Sequence, residues 1–188
     1  MASTTWHGLP TDLPKPEDDG ACDHVQGKTF PSLSLSSTAG DKVSPASLPG
    51  LSILFCYPRT ATPDEDVPAE WNAIPGARGC TPQACSFRDA SDEFTKLGVG
   101  RIFGVSTQDT PYQRELKERV HLPYELLSDE GLEMVEALKL PTLEYKGKRL
   151  VKRLTLAVEK GKIVKVWYPV FPPDKSADEV LQWLKGRI

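Results

Sequence analysis

The sequence predicts an α/β sandwich, a central mixed β-sheet flanked by helices. Three observations predict it. The apolar run at 51–57 (LSILFCY) has the length and composition of a buried strand and stops at Pro58. A second strand-like run at 101–106 (RIFGVS) is separated from it by a helical pattern. Late in the chain, Glu159-Lys160-Gly161-Lys162 is a hairpin signal. The resulting order is β-α-β-α-β-β-α. With 188 residues, 39% of them hydrophobic, the chain is long enough for one sizeable core.

Eleven of the seventeen prolines fall in the first 82 residues, so the irregular structure belongs there. Residues 1–20 carry Pro10, Pro14 and Pro16 among acids and predict a flexible N-terminal arm. Residues 21–188 read as a single domain. Phe30, Leu33 and Leu35, ahead of Gly40-Asp41, suggest a lead-in hairpin before the 51–57 strand. Residues 58–79 hold four prolines and two glycines, which predicts a long loop. Phe87, Phe94 and Leu97 mark a helix over 81–97. Asp109 or Thr110 caps another helix, with Pro111 in its first turn, that ends near Val120. A short strand at 125–127 and a helix at 131–138 follow, and Pro141 opens a strand or turn. Strands are expected at about 149–158 and 162–168, then a last helix capped by Ser176.

Composition excludes several function classes. The net charge is −3 and no dense Lys/Arg run exists, so no nucleic-acid partner is expected. No apolar run reaches membrane-spanning length, so no membrane role is expected. The N-terminal residues show no signal-peptide or transit-peptide pattern, and the expected location is cytoplasmic. Four cysteines are too few for a disulfide-built scaffold. In a reducing compartment a cysteine pair is more often catalytic or metal-binding. Cys22 and His24 could offer metal ligands, but their spacing matches no common zinc site, so no metal or cofactor is expected.

The informative segment is Gly79-Cys80-Thr81-Pro82-Gln83-Ala84-Cys85-Ser86-Phe87-Arg88-Asp89. Cys80 sits where loop becomes helix, and Pro82 suits a first turn. Free N–H groups and the positive end of the helix dipole stabilise an anion there, so the thiol should ionise more easily. Full ionisation of a thiol near pKa ~8.5 gains only about 30-fold at pH 7, so larger accelerations need groups that stabilise the transition state. Cys85 lies five positions on. In an intact helix that is a rise of ~7.5 Å with diverging side chains, beyond the ~7 Å Cα separation that a disulfide tolerates. An 80–85 disulfide therefore requires the first helical turn to unwind.

The strand ending in Tyr57-Pro58, the later Gly79-Cys80-Thr81, the second cysteine Cys85 and the Phe87-Arg88-Asp89 tail together resemble a peroxiredoxin. The branch most similar is that of peroxiredoxin Q and the bacterioferritin comigratory proteins, over about residues 22–186. The resemblance implies a thioredoxin-like fold and a thiol-dependent peroxidase of atypical two-cysteine type. Its substrates would be hydrogen peroxide and organic hydroperoxides, and its reductant thioredoxin or a similar dithiol. It implies that Cys80 is peroxidatic, Cys85 resolving, Pro58 the motif proline and Arg153 the arginine from a later strand. The motif threonine is Thr62, with Thr60 as rival, while Gln83 and Arg88 are supporting candidates. Gln83 stands where many relatives carry an acid. An insertion over 63–79, including Trp71, separates the proline-threonine part of the motif from Cys80. It reads either as a tolerated surface loop or as a lid. By analogy the protein would be a monomer or weak homodimer. Alternative readings of the same cysteines are a protein disulfide oxidoreductase and a peroxide-sensing redox relay.

Overall fold

The computed structural model describes residues 9–187. Its elements run β1 (Leu35–Ser37), β2 (Lys42–Val43), β3 (Leu51–Cys56), α1 (Ala69–Asn72), α2 (Cys80–Asp89), α3 (Ser91–Lys96), β4 (Val99–Ser106), α4 (Thr110–Arg119) and β5 (Glu125–Ser128). They continue with α5 (Glu133–Leu138), β6 (Thr142–Tyr145), β7 (Lys148–Val151), β8 (Leu154–Glu159), β9 (Lys162–Trp167) and α6 (Ser176–Lys185). Seven strands form one sheet in the order β2-β1-β5-β4-β3-β8-β9, with β3, β4 and β5 parallel and the other pairings antiparallel. This is the mixed sheet that the sequence predicts. No helix among the described residues is long and apolar enough to cross a membrane.

All six residues of β3 are buried, because this strand has neighbours on both edges and layers on both faces. Its side chains alternate. Leu51, Ile53 and Phe55 join Phe87 of α2, Phe94 of α3, Leu116 of α4 and Val180 of α6. Leu54 and Cys56 face the other way, toward Met134 and Val135 of α5 and toward Val25 and Phe30 of the lead-in. Phe55 stacks on Phe87 with ring centroids 4.5 Å apart. Room for that ring comes from Gly104 of β4, where an added Cβ would lie 2.6 Å from Leu126 Cδ2 and 2.7 Å from Phe55 Cζ. Gly104→Ala should therefore destabilise the protein by ~1–3 kcal/mol through overpacking. Urea unfolding checks this by a lower midpoint at unchanged slope.

Several elements differ from expectation. The helix over 81–97 is two helices, α2 and α3, because the backbone turns at Ala90. The strand at 149–158 is two strands, β7 and β8, interrupted at Lys152-Arg153. β7 pairs with β6 in a separate hairpin whose turn places Lys146 and Gly147 at φ 48 and 73. Ser176 does not cap α6; its hydroxyl is buried and accepts a hydrogen bond from Gln83 Nε2 at 3.2 Å. Asp109 does cap α4, accepting from the Tyr112 N–H at 2.9 Å.

The 63–79 segment carries its own small core. Trp71 of α1 and Ala77 are buried against Tyr145 and Leu150 of the β6–β7 hairpin, with Val67, Ile74 and Leu143 at the edges. Trp71 meets Tyr145 edge-on at 4.7 Å. Residues 1–8 of the expected arm lie outside the described residues. Residues 9–20 contain no helix or strand; within them Asp19 pairs with Lys152 and Leu9 reaches the start of α2.

Candidate active site

Cys80 is the first residue of α2 and follows Gly79 at φ 105. A Cβ at position 79 would stand 2.3 Å from Pro173 Cγ and 3.1 Å from Leu9 Cδ2, so the close approach requires glycine. The first turn of α2 has no side-chain cap and no acidic residue. Its backbone N–H groups and positive dipole end are not neutralised locally and favour negative charge beside Cys80. The residue is 4% exposed, so its sulfur feels these charges with little screening by water.

Arg153 reaches the same point from the segment between β7 and β8. Leu154 of β8 pairs with Cys56 of β3, so the antiparallel register puts Arg153 just beyond the end of β3. The break between β7 and β8 frees this residue from any ladder. Its Nη2 donates to Cys80 Sγ at 3.2 Å and to the carbonyls of Ala77 at 3.0 Å and Arg78 at 3.2 Å. Nε donates to the Gly76 carbonyl at 3.3 Å, and Nη1 to Gln83 Oε1 at 2.5 Å. Arg153 is 3% exposed, and among the described residues no carboxylate lies within ion-pair distance of it. A buried cation surrounded by neutral oxygens is incompletely compensated. Among its partners, the Cys80 sulfur is the one that can become an anion. Gln83, fully buried, is itself oriented by Ser176, whose hydroxyl lies 3.4 Å from Thr155 Oγ1.

Cys80 borders a cavity of about 490 Å³. Thr60 and Thr62 both line it, and so do Arg59, Trp71 and Arg78. Thr60 is buried and held by Gln108, which accepts from its N–H at 3.0 Å and donates to its carbonyl at 3.1 Å. Thr62 is half-buried, and its N–H points to Glu65 at 3.4 Å. Pro58 is buried at the end of β3 and does not border the cavity. Arg88 is not part of this group; it bonds Asp89 and the Val120 carbonyl, each at 2.8 Å. The 63–79 segment is fastened by Glu65, which pairs with Arg59 and accepts from the Tyr112 hydroxyl. Those two bonds, Tyr112 first, hold the Glu65 carboxyl below its ordinary pKa.

The other cysteines are differently placed. Cys85 is buried on α2, so the two cysteines of the motif share one intact helix, and all four cysteines are unbonded. Cys22 is buried, and burial with the nearby Asp19, Asp18 and Asp23 charges pushes its thiol up to about 12. Cys56 is fully buried within β3, and burial raises its thiol as well. Both are poor nucleophiles at neutral pH. His24 Nε2 lies 2.9 Å from the Leu138 carbonyl.

Sequence reasoning missed three contributors. The Gly76–Arg78 carbonyls that hold the guanidinium are backbone groups, which leave no side-chain signal. Ser176 carried a helix-start signal that hid its role as a partner of Gln83. Gln108, which holds Thr60, carried no signal at all.

The redoxin family profile matches residues 25–181. Over 163 residues the chain is 32% identical to the chloroplastic peroxiredoxin Q of Arabidopsis thaliana, covering 86% of this chain and 67% of that protein. Over 167 residues it is 32% identical to peroxiredoxin Bcp of Bacillus subtilis, covering 85% of this chain and 94% of that one. Among solved structures, peroxidoxin BcpB from Mycobacterium tuberculosis superposes with a TM-score of 0.69 at 28% identity, covering 86% and 97% of the two chains.

Proposed function

The chain belongs to the redoxin family, in its peroxiredoxin Q/Bcp branch, and from that premise we propose that Cys80 is the peroxidatic cysteine of this thiol-dependent peroxidase and Cys85 its resolving partner. The observation that carries the assignment is the Arg153 guanidinium, buried without a carboxylate and 3.2 Å from Cys80 Sγ at an uncapped helix start. The substrates are hydrogen peroxide and organic hydroperoxides, and the reductant is a thioredoxin-type dithiol.

In the first step the Cys80 sulfur, having lost its proton, attacks the terminal oxygen of the hydroperoxide. The S–O bond forms as the O–O bond breaks, sulfur is oxidised to sulfenic acid, and the departing oxygen leaves as water or alcohol after taking up a proton. Arg153 and the N–H groups of the first turn of α2 stabilise charge on that oxygen. A hydroxyl from Thr60 or Thr62 orients the substrate. In the second step the Cys85 thiol displaces water from the sulfenic acid and forms a disulfide. The first turn of α2 has to open for this. That turn is held by few bonds: the first is from the Gln83 N–H to the Gly79 carbonyl at 3.0 Å, and Thr81 is a weak helix former. An external dithiol then takes the disulfide and returns both thiols.

The test is NADPH consumption with thioredoxin, thioredoxin reductase and peroxide. Rapid consumption only in the presence of peroxide is the expected result, whereas insulin reduction without peroxide would favour a disulfide oxidoreductase. Cys85→Ser should reduce one equivalent of peroxide at the wild-type rate and then stall with thioredoxin. Sustained wild-type turnover in that variant would remove the resolving role.

A further inference from the structure

The wall that the insertion builds beside Cys80 has a chemistry of its own. Val67, Pro68 and Trp71 from the insertion, with Tyr145 from the β6–β7 hairpin, give the cavity an apolar side. Three arginines also line it, and two of them are engaged. Arg59 pairs with Glu65 and lies over the Trp71 and Tyr145 rings at 5.8 and 5.9 Å. Arg119 pairs with Glu115 and donates to the Ala61 carbonyl at 3.2 Å. Arg78 has neither an ion-pair nor a side-chain hydrogen-bond partner among the described residues, although it is half-buried. Two of the lining carboxylates could oppose an anion. Glu65 is spent on Arg59 and Tyr112, and Asp66 is exposed to water. Hydrogen peroxide needs neither an apolar wall nor an unpaired guanidinium two residues from the reacting sulfur.

Resting on the peroxidase reading above, we propose that this cavity selects hydroperoxides with an apolar body and a carboxylate, the carboxylate pairing with Arg78. The apolar body lies against Val67, Pro68 and Trp71, which releases water from both surfaces. The carboxylate meets a guanidinium whose charge is only partly screened, so a charge-assisted, bidentate pair can form. The insertion is thereby a specificity element rather than a neutral surface loop.

The test compares para-carboxycumene hydroperoxide with its methyl ester, two substrates with the same reacting centre and different charge, against hydrogen peroxide as reference. The free acid should show a kcat/KM about tenfold above the ester, mostly through KM, and the preference should shrink as ionic strength rises. Arg78→Gln should bring the acid-to-ester ratio to about one, and Arg78→Lys should restore part of it. Equal use of acid and ester by the wild-type protein, or an unchanged ratio in Arg78→Gln, would overturn the subsite while hydrogen peroxide turnover leaves the peroxidase standing. Absence of hydrogen peroxide turnover would overturn the peroxidase reading and the subsite with it.

Discussion

Cys80→Ser is expected to lose peroxide-dependent NADPH oxidation by about 10⁴-fold or more, while folding normally. The size follows from the chemistry. Sulfur must ionise, attack oxygen and carry the oxidation to the next thiol, and a serine hydroxyl does none of these at neutral pH. Neither Cys22 nor Cys56 can substitute. Cys22 is held protonated up to about 12 by burial and three nearby aspartates, and Cys56 lies inside the central strand. The exchange is nearly isosteric at a residue that packs at the edge of the core, so the melting temperature should move little. Near-normal turnover in Cys80→Ser would place the reacting sulfur elsewhere.

Arg153→Met is the second large effect. Peroxide-driven oxidation of Cys80 should slow by about 10²–10³-fold, the range for removing one donor aimed at developing negative charge. Two contributions add. The attacking sulfur loses the donor that stands 3.2 Å from it, and the departing oxygen loses a donor. An unchanged far-UV circular dichroism spectrum alongside slowed oxidation separates this from mere misfolding. Some stability will also go, because the carbonyls of Gly76, Ala77 and Arg78 and the Gln83 amide lose their shared donor. Arg153→Lys is the control. It keeps a positive charge but not the planar fork that reaches sulfur, Gln83 and three carbonyls together, so it should recover only part of the rate. Unchanged oxidation in Arg153→Met with a normal fold would remove the arginine from the chemistry.

The parts of this architecture that follow a period or a cap were legible in the sequence. The 51–57 run became β3, the 101–106 run fell within β4, and Asp109 caps α4 as its position suggests. Turn chemistry was read unevenly. Lys160-Gly161 signals a hairpin, and the same pair of residue types at Lys146-Gly147 makes the β6–β7 hairpin, where both adopt positive φ. The core of the 63–79 segment was hidden because Val67, Trp71, Ile74 and Ala77, though spaced i, i+4, i+7 and i+10, are interrupted by Pro68, Pro75 and Gly76; their convergence on Tyr145 and Leu150 is tertiary packing. The site divides in the same way. Cys80 at a helix start was readable from Gly79 and Pro82. Its approach to Arg153, 73 positions away, came only through family resemblance, since no local pattern marks the break between β7 and β8.

The most direct measurement is a mass map after one equivalent of hydrogen peroxide. Trypsin cuts after Arg78 and Arg88, so Cys80 and Cys85 travel in one peptide, 79–88. The account predicts that this peptide becomes two hydrogens lighter while Cys22 and Cys56 remain thiols. In Cys85→Ser it predicts a sulfenic acid on Cys80 that dimedone captures. First oxidation at Cys22 or Cys56, or a disulfide from Cys80 to either of them in place of Cys85, would contradict it.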